Sequence, residues 1–330
     1  MNNKLFNETL DDFENIFTNS WSSDKTKNYL IKLYQDGESF EQIAAASSVM
    51  QKYSTKLPIE ESLKDTIIDN CGTGGDKSGT FNISTTCSLL LSACGSIVAK
   101  HGNKSITSQS GSADMLEALG LNLSLDIKTQ VDMLEKCGFV FMFAINHHKA
   151  MKHIMPIRRS LNHRTIFNLL GPLTSPAGVK KQLVGVFDKA FTNKMANALK
   201  LNGASRAMVV SSKDGLDEIS ICDITYVSKL ENGSIVDMVI DPRDFGFKLS
   251  TLDKLKGGDA ITNSHITKDI LEGKITDAKL DVVLLNTAYC LWVDGKIDDI
   301  KDGIKYLRDI IKTKTAIKKL KQIIDVSNSY

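Results

Sequence analysis

Apolar positions near the start of the chain recur at three- and four-residue spacing. Within residues 8–56, Tyr29, Leu30, Leu33 and Tyr34 fall on one helical face; an acidic start at Asp11 and Asp12 precedes them, and Ser22-Ser23 is a polar break. Gly37 then ends a helix, Ser39-Phe-Glu-Gln42 has the form of a capping box, and Ile43, Ala46 and Met50 continue along one face. No His, Cys or Gly cluster appears before residue 70, so packing is the expected role of this segment. From residue 66 the pattern changes to short apolar runs alternating with helical stretches. Strands are expected at 66–69, 96–99, 139–144, 183–187, 206–211, 226–230 and 235–240, and helices at 84–94, 112–119, 129–136, 192–201 and from 259 onward. This is βα organisation. Residues 148–180, rich in Pro, Arg and Asn, interrupt it and are expected to return to the N-terminal helices, leaving a cleft between two lobes.

Composition narrows the function classes. With 330 residues, 42% hydrophobic and 24% charged, the chain can bury one large core and a smaller companion. Lys plus Arg number 41 against 39 Asp plus Glu, and a net charge of +2 supplies no general field for nucleic acid or membrane, so an anion site must be local. The N-terminus, with Glu8, Asp11, Asp12 and Glu14, lacks the basic and apolar regions of a signal peptide, and no apolar run approaches the roughly 18 residues of a spanning helix; a cytoplasmic protein is expected. Six cysteines, at 71, 87, 94, 137, 222 and 290, never form Cys-x-x-Cys and are expected as reduced core residues rather than zinc ligands or disulfides. The lysine-rich run 312–321 around Ile317 and Leu320 is expected to be a solvated helix face.

Three stretches carry candidate chemistry. Residues 69–85 place Gly72, Gly74 and Gly75 between an apolar run and a helix start, an arrangement whose converging amides and helix N-terminus collect phosphate. Thr80, Asn82, Ser84 and Thr85 add side-chain donors. It is neither standard nucleotide loop: Lys77 follows Asp76 rather than Gly, and it stands where the dinucleotide fingerprint needs its last glycine. A glycine-rich surface turn is the other reading. The second stretch, Lys100-His-Gly-Asn103 followed by Lys104-Ser-Ile-Thr-Ser108 and Ser110-Gly-Ser112, again follows an expected strand, and loops at strand carboxyl ends share the crevice of an open parallel sheet. The third, Asp214-Gly-Leu-Asp-Glu218, sets adjacent carboxylates on a loop; Mg²⁺ is held by one or two carboxylates plus substrate phosphates, whereas in isolation this is a solvated acidic turn. Arg158, Arg159 and Arg164 offer guanidinium forks for a carboxylic acid, or are surface arginines. His147, His148, His153 and His163 have no obvious nucleophile or metal partner, leaving substrate-facing and structural roles open.

Taken together, Gly72-Thr-Gly-Gly-Asp76, Asn82-Ile-Ser-Thr85, Lys100-His-Gly-Asn103, the run Ser110–Gly120, Arg164-Thr-Ile-Phe-Asn-Leu-Leu-Gly-Pro-Leu-Thr174 and Asp214-Gly-Leu-Asp-Glu218 resemble the anthranilate phosphoribosyltransferase family, and the likeness extends from Gly37 to Asn286. The resemblance implies an α/β protein of the nucleoside phosphorylase type of phosphoribosyltransferase fold: a small helical domain, 1–65 completed by about 150–180, and a larger domain, 66–149 and 181–330, with a central, mostly parallel sheet. It implies a homodimeric glycosyltransferase of L-tryptophan biosynthesis, requiring Mg²⁺, that moves the phosphoribosyl group of 5-phosphoribosyl 1-pyrophosphate onto the amine of anthranilate. By resemblance the donor site comprises Gly72, Gly75, Asp76, Thr80, Asn82, Ile83, Ser84, Thr85, Lys100, His101, Gly102, Asn103, Lys104, Ser108 and Ser112; anthranilate meets Gly72, Asn103 and Arg158; and Ser84, Asp217 and Glu218 hold the metal. No residue is implied as an acid or base. Lys104, Lys149, Ser175 and Cys71 depart from the family's commonest pattern. A pyrimidine nucleoside phosphorylase shares the fold class, but its Lys-His-Ser-Thr-Gly-Gly loop is missing here; a nucleic-acid-binding relative would need a basic groove.

Overall fold

The structure, a computed structural model, describes residues 2–76, 78–104 and 109–330. Helices α1 (Asn3–Phe17), α2 (Ser23–Asp36) and α3 (Phe40–Lys52) open the chain. Each start is capped by a short polar side chain: Asn2 accepts from Leu5 N–H, Ser22 from Lys25 N–H, and Ser39 forms the expected capping box with Gln42. Gly37 closes α2 at φ 76°, a conformation that favours glycine. The apolar face of these helices, Phe13, Leu30 and Ile43, buries against Ile154 of α8 (Met151–Arg159) and Phe167 of α9 (Phe167–Leu173). The Pro- and Arg-containing stretch therefore does return to the N-terminal helices.

One seven-stranded sheet organises the rest, in the order β3-β2-β1-β4-β5-β6-β7. The strands are β1 (Ile67–Gly72), β2 (Ile97–Gly102), β3 (Phe139–Phe143), β4 (Lys181–Gly185), β5 (Arg206–Ser212), β6 (Thr225–Glu231) and β7 (Ser234–Ile240). The first five are parallel, and β6 and β7 are antiparallel. The hairpin between the last two turns on Asn232 and Gly233, both at positive φ (50° and 71°), the pairing a two-residue turn demands. Strand order reverses at β1, flanked by β2 and β4, so the carboxyl ends of these three strands open on a common crevice.

Alternation along the central strands divides the core. Leu183, Met208 and Val210 pack with α4 (Ile83–Ala93) and the almost wholly buried α12 (Ala278–Asp294). Their neighbours Val184, Ala207 and Val209 face the other way, joining the N-terminal helices and α10 (Thr192–Leu201). A one-residue slip in register would exchange the two sets, so this alternation ties the helical layer to one sheet face. The remaining helices are α5 (Ser112–Ala118), α6 (Ile127–Cys137), α7 (Ala144–His147), α11 (Ala260–Leu271), α13 (Ile300–Lys312) and α14 (Thr315–Ser327).

Two expectations need correction. The lysine run 312–321 is not one helix face: Lys314 sits at φ 61° and breaks it between α13 and α14. All six cysteines are free, but only Cys87, Cys137 and Cys290 are buried; Cys71, Cys94 and Cys222 are half-buried.

Candidate active site

The first loop is shaped by contacts with the acidic turn. Beyond β1 the chain passes Gly74 (φ 66°) and Gly75 (φ 76°), conformations costly for other residues. Gly72 is required for a different reason: a Cβ there would lie 2.6 Å from Asp217 Oδ2. That oxygen accepts the Gly74 N–H at 2.7 Å, and Glu218 Oε1 accepts the Ser84 N–H at the start of α4 at 3.1 Å. Adjacent acids thus reach two ends of one loop. The turn itself is held from inside by Asn286 of α12, whose amide takes the Ile219 N–H (2.9 Å) and donates to the Ile219 carbonyl (2.7 Å). Asn286 is a single buried amide in an apolar helix, and that isolation is the signal by which sequence could have found it.

Electrostatics set this turn apart. Burial, then the Asp217 charge, pushes Glu218 up to about 8, with Lys100 opposing. Asp217 is raised too, by burial first and then by Asp76. Among the described residues neither acid has an ion-pair partner. No three His, Cys, Asp or Glu side chains among the described residues converge as a closed metal cage. Two carboxylates disfavouring their own charge, one of them on the Ser84 N–H, are instead an open oxygen set that fits a hard divalent cation completing its shell with other oxygens.

The second loop meets the first beneath the crevice. Lys100 is not a free point charge: it is 1% exposed and donates to the Asn70 carbonyl at 2.7 Å. His101 N–H donates to Asp69 Oδ1 at 3.2 Å, and the Asn103 carbonyl accepts from Ala113 in the first turn of α5 at 3.2 Å. Gly102 has no room for a Cβ, which would lie 2.8 Å from Phe141 and 3.2 Å from Ser112 Cβ. Lys104 turns outward to pair with Glu117 at 2.9 Å. Ile83 is a core side chain, so only its backbone faces the loop, while Thr85 is fully buried with a hydroxyl lacking any hydrogen-bond partner among the described residues. Thr80 pairs with Lys256 in an isolated antiparallel bridge. The Asp76 carboxylate accepts from Ser78 N–H at 3.3 Å, and Ser108 lies outside the described residues.

The arginines separate. Arg164 donates to the Gly75 carbonyl and lies 3.6 Å over the Phe187 ring, close enough to Asp217 and Asp76 for both charges to raise its pKa against the larger lowering by burial. Arg158 is half-buried, 5.5 Å over the Phe167 ring and 3.6 Å from Met155 Sδ; burial lowers its pKa, and among the described residues it has no carboxylate partner. Arg159 is exposed. The histidines also divide. His147 is structural, bonded to the Thr55 carbonyl (2.7 Å) and Gln130 (3.2 Å); His153 approaches the Ile16 carbonyl at 2.9 Å, and His163 stacks on Tyr34 at 4.1 Å. His101 and His148 lie ring to ring at 5.1 Å, and burial pushes His148 down to about 4 and His101 well below its ordinary value, so both are neutral.

Residues 64–317 match the family described as the glycosyl transferase family, a/b domain. Anthranilate phosphoribosyltransferase of Persephonella marina is 41% identical over 298 residues, 90% of this chain and 87% of that protein. The enzyme of Laribacter hongkongensis is 40% identical over 327 residues, 99% of this chain and 95% of that one. The crystal structure of the Thermus thermophilus enzyme superposes with a TM-score of 0.92 at 32% identity, covering 98% of this chain and 96% of its own. The Saccharomyces cerevisiae enzyme in complex with PRPP and Mg gives 0.85 at 29% identity, covering 93% and 86%.

Proposed function

The chain belongs to the anthranilate phosphoribosyltransferase family, and we propose from that premise how its crevice works. The enzyme transfers the phosphoribosyl group of 5-phosphoribosyl 1-pyrophosphate to the amine of anthranilate, giving N-(5-phosphoribosyl)anthranilate and pyrophosphate in L-tryptophan biosynthesis. The observation that carries the site assignment is the meeting of Asp217 with Gly74 and of Glu218 with Ser84.

In this reading the amides and hydroxyls of the first loop, with Asn103 and Ser112 from the second, receive the donor's phosphates. The unpartnered Thr85 hydroxyl supports this, because a buried hydroxyl without a partner costs about 1–3 kcal/mol unless a ligand supplies one. Mg²⁺ is the cofactor; Ser84, Asp217 and Glu218 would hold it, and there it would supply positive charge to offset that of the departing pyrophosphate. Arg158, lacking an internal acid, takes the anthranilate carboxylate in a bidentate grip beside Gly72 and Asn103. The aromatic amine is already neutral near pH 7, so neutral His101 and His148 need only shape the pocket. Orienting two bound substrates contributes at most about 7–11 kcal/mol to lowering the barrier, and a closed cleft excludes water that would hydrolyse the donor.

The division into a helical lobe, 1–65 completed by about 150–180, and an α/β lobe belongs to this proposal, supported by the packing of Phe13 and Leu30 on Ile154 and Phe167. So do the homodimer, which sedimentation tests, and a cytoplasmic location; no described helix is long and apolar enough to cross a membrane. Loss of anthranilate fluorescence with phosphoribosyl pyrophosphate and Mg²⁺ tests the whole. Fluorescence that stays constant with both present removes the proposal.

A further inference from the structure

Asn82 begins α4 but does not cap it; its side chain makes no bond to the helix it precedes. Its carbonyl oxygen instead accepts Asn263 Nδ2 at 2.9 Å and lies 3.3 Å from Ser110 Oγ, whose single proton can also go to the Gly111 carbonyl at 3.3 Å; among the described residues its Nδ2 donates once, to the Ser110 carbonyl at 3.3 Å. The Asn82 oxygen is thereby committed to Asn263, and among the described residues one N–H of its amide has no partner. An amide held in that sense offers a neighbouring anion a donor.

The orientation is inherited from the backbone. Asn263, on α11 and 1% exposed, accepts the Gly258 N–H through Oδ1 at 2.8 Å. A backbone N–H can only donate, so the Asn263 oxygen must face Gly258 and its NH₂ must face Asn82, which in turn must present its own oxygen. Gly258 thus dictates the sense of two successive amides. The turn that carries Gly258 is fastened to the phosphate loop: Phe81 N–H donates to the Leu255 carbonyl at 3.1 Å, and Gly257 N–H to the Gly79 carbonyl at 3.0 Å. Gly257 cannot carry a side chain there, since a Cβ would lie 2.6 Å from Phe81 Cα and 2.7 Å from its nitrogen and would strike Asn263 Oδ1.

We propose that Asn263 is a positioning residue that holds the Asn82 amide in its donor-outward sense for the anionic phosphoribosyl pyrophosphate. This rests on the reading of Asn82 as part of the donor site. The Asn263→Asp substitution keeps size and shape but removes the NH₂, so Asn82 turns its nitrogen toward the new carboxylate and its oxygen toward the donor.

Steady-state kinetics and thermal midpoints of Asn263→Asp, Ser110→Ala, Asn82→Ala and the Asn82→Ala/Asn263→Asp double variant test the relay. Asn263→Asp is expected to raise KM for the donor about tenfold or more, with kcat and KM for anthranilate changed by less than about threefold. In the Asn82→Ala background it is expected to add less than about twofold, because the amide it orients is gone. Ser110→Ala, which removes the weaker contact to Asn82 along with the hydroxyl's approach to the Gly111 carbonyl, is expected to raise donor KM about two- to threefold. A lowered thermal midpoint with unchanged donor KM, or effects that multiply in the double variant, overturns the inference. Should Asn263→Asp not fold, Ser110→Ala decides alone, an unchanged donor KM being the overturning result. A wild-type protein that neither binds nor consumes the donor takes down the proposed function and this inference together; an active wild type beside an indifferent Asn263→Asp takes down the inference only.

Discussion

Two carboxylate-bearing turns follow strands of the same sheet and meet opposite fates. After β7, Asp241 takes three bonds from the Arg243 guanidinium, the shortest 2.6 Å, and that fork holds its pKa down to about 2. After β5, Asp217 and Glu218 receive, among the described residues, only backbone amides, stand beside Asp76, and are both pushed up. A pair compensated internally is finished as a structural feature; an acidic pair left uncompensated in a crevice is available to a cation. The contrast teaches that the number of carboxylates in a turn says little until their partners are known.

The largest test of the contrast is to erase the uncompensated charge. Asp217→Asn with Glu218→Gln is expected to cut turnover on the order of a thousandfold and abolish Mg²⁺ dependence, checked by activity against metal concentration. Kinetics indistinguishable from wild type would detach the turn from the reaction. Arg158→Ala comes next. It is expected to raise KM for anthranilate tenfold or more and to spare the donor, and equal increases for both substrates would exclude a carboxylate grip.

Asn286→Ala sharpens the comparison from behind, by loosening the turn without touching either acid. Urea unfolding is expected to show a loss of about 1–3 kcal/mol, accompanied by weaker Mg²⁺ binding in calorimetry. Unaltered Mg²⁺ affinity would mean that the turn holds its shape unaided.

The pH dependence separates the turns with opposite signs. Glu218, at 4.5 when unperturbed and about 8 in the fold, contributes stability that is complete below about pH 4.5 and lost as pH rises through about 8. Metal-free protein is therefore expected to melt at progressively lower temperature across that window, and Glu218→Gln to flatten the slope. Asp241, at 3.8 when unperturbed and about 2 in the fold, contributes in the other direction, with stability present above about 4 and lost as pH falls through about 2. The smallest expected effect is that of Arg243→Ala at neutral pH, a slight fall in melting temperature with unchanged activity, since solvent screens this surface pair.

Much of the fold was legible in local signals. Ser39 and Gln42 announced a helix start, Gly37 a helix end, and the apolar runs at 139–144 and 206–211 became β3 and β5 with ends shifted by a residue. Strand ends were less legible, because a strand stops where its partner stops: β4 begins at Lys181, opposite Ile68 and Arg206, two residues before its apolar run. At the crevice, the glycine loop and acidic pair were legible as types. That Lys100 is spent on the Asn70 carbonyl, that Arg164 rather than Arg158 reaches the first loop, and that Asn263 governs Asn82 was not, since each depends on a contact between segments far apart in the chain.

The sequence by itself determined which segments become helices and strands, where glycine is obligatory for a turn, and which residue types are available to bind an anion, a cation and a carboxylate. Those are properties of a residue and its near neighbours, governed by backbone sterics, periodicity and side-chain chemistry. Only the tertiary structure decided which charges are already neutralised, which hydroxyls and amides are unspent, and which way an amide faces. Partnership is a matter of distance in space, and the packing that brings residue 217 to residue 74 and residue 263 to residue 82 leaves no mark on the stretches of chain it joins.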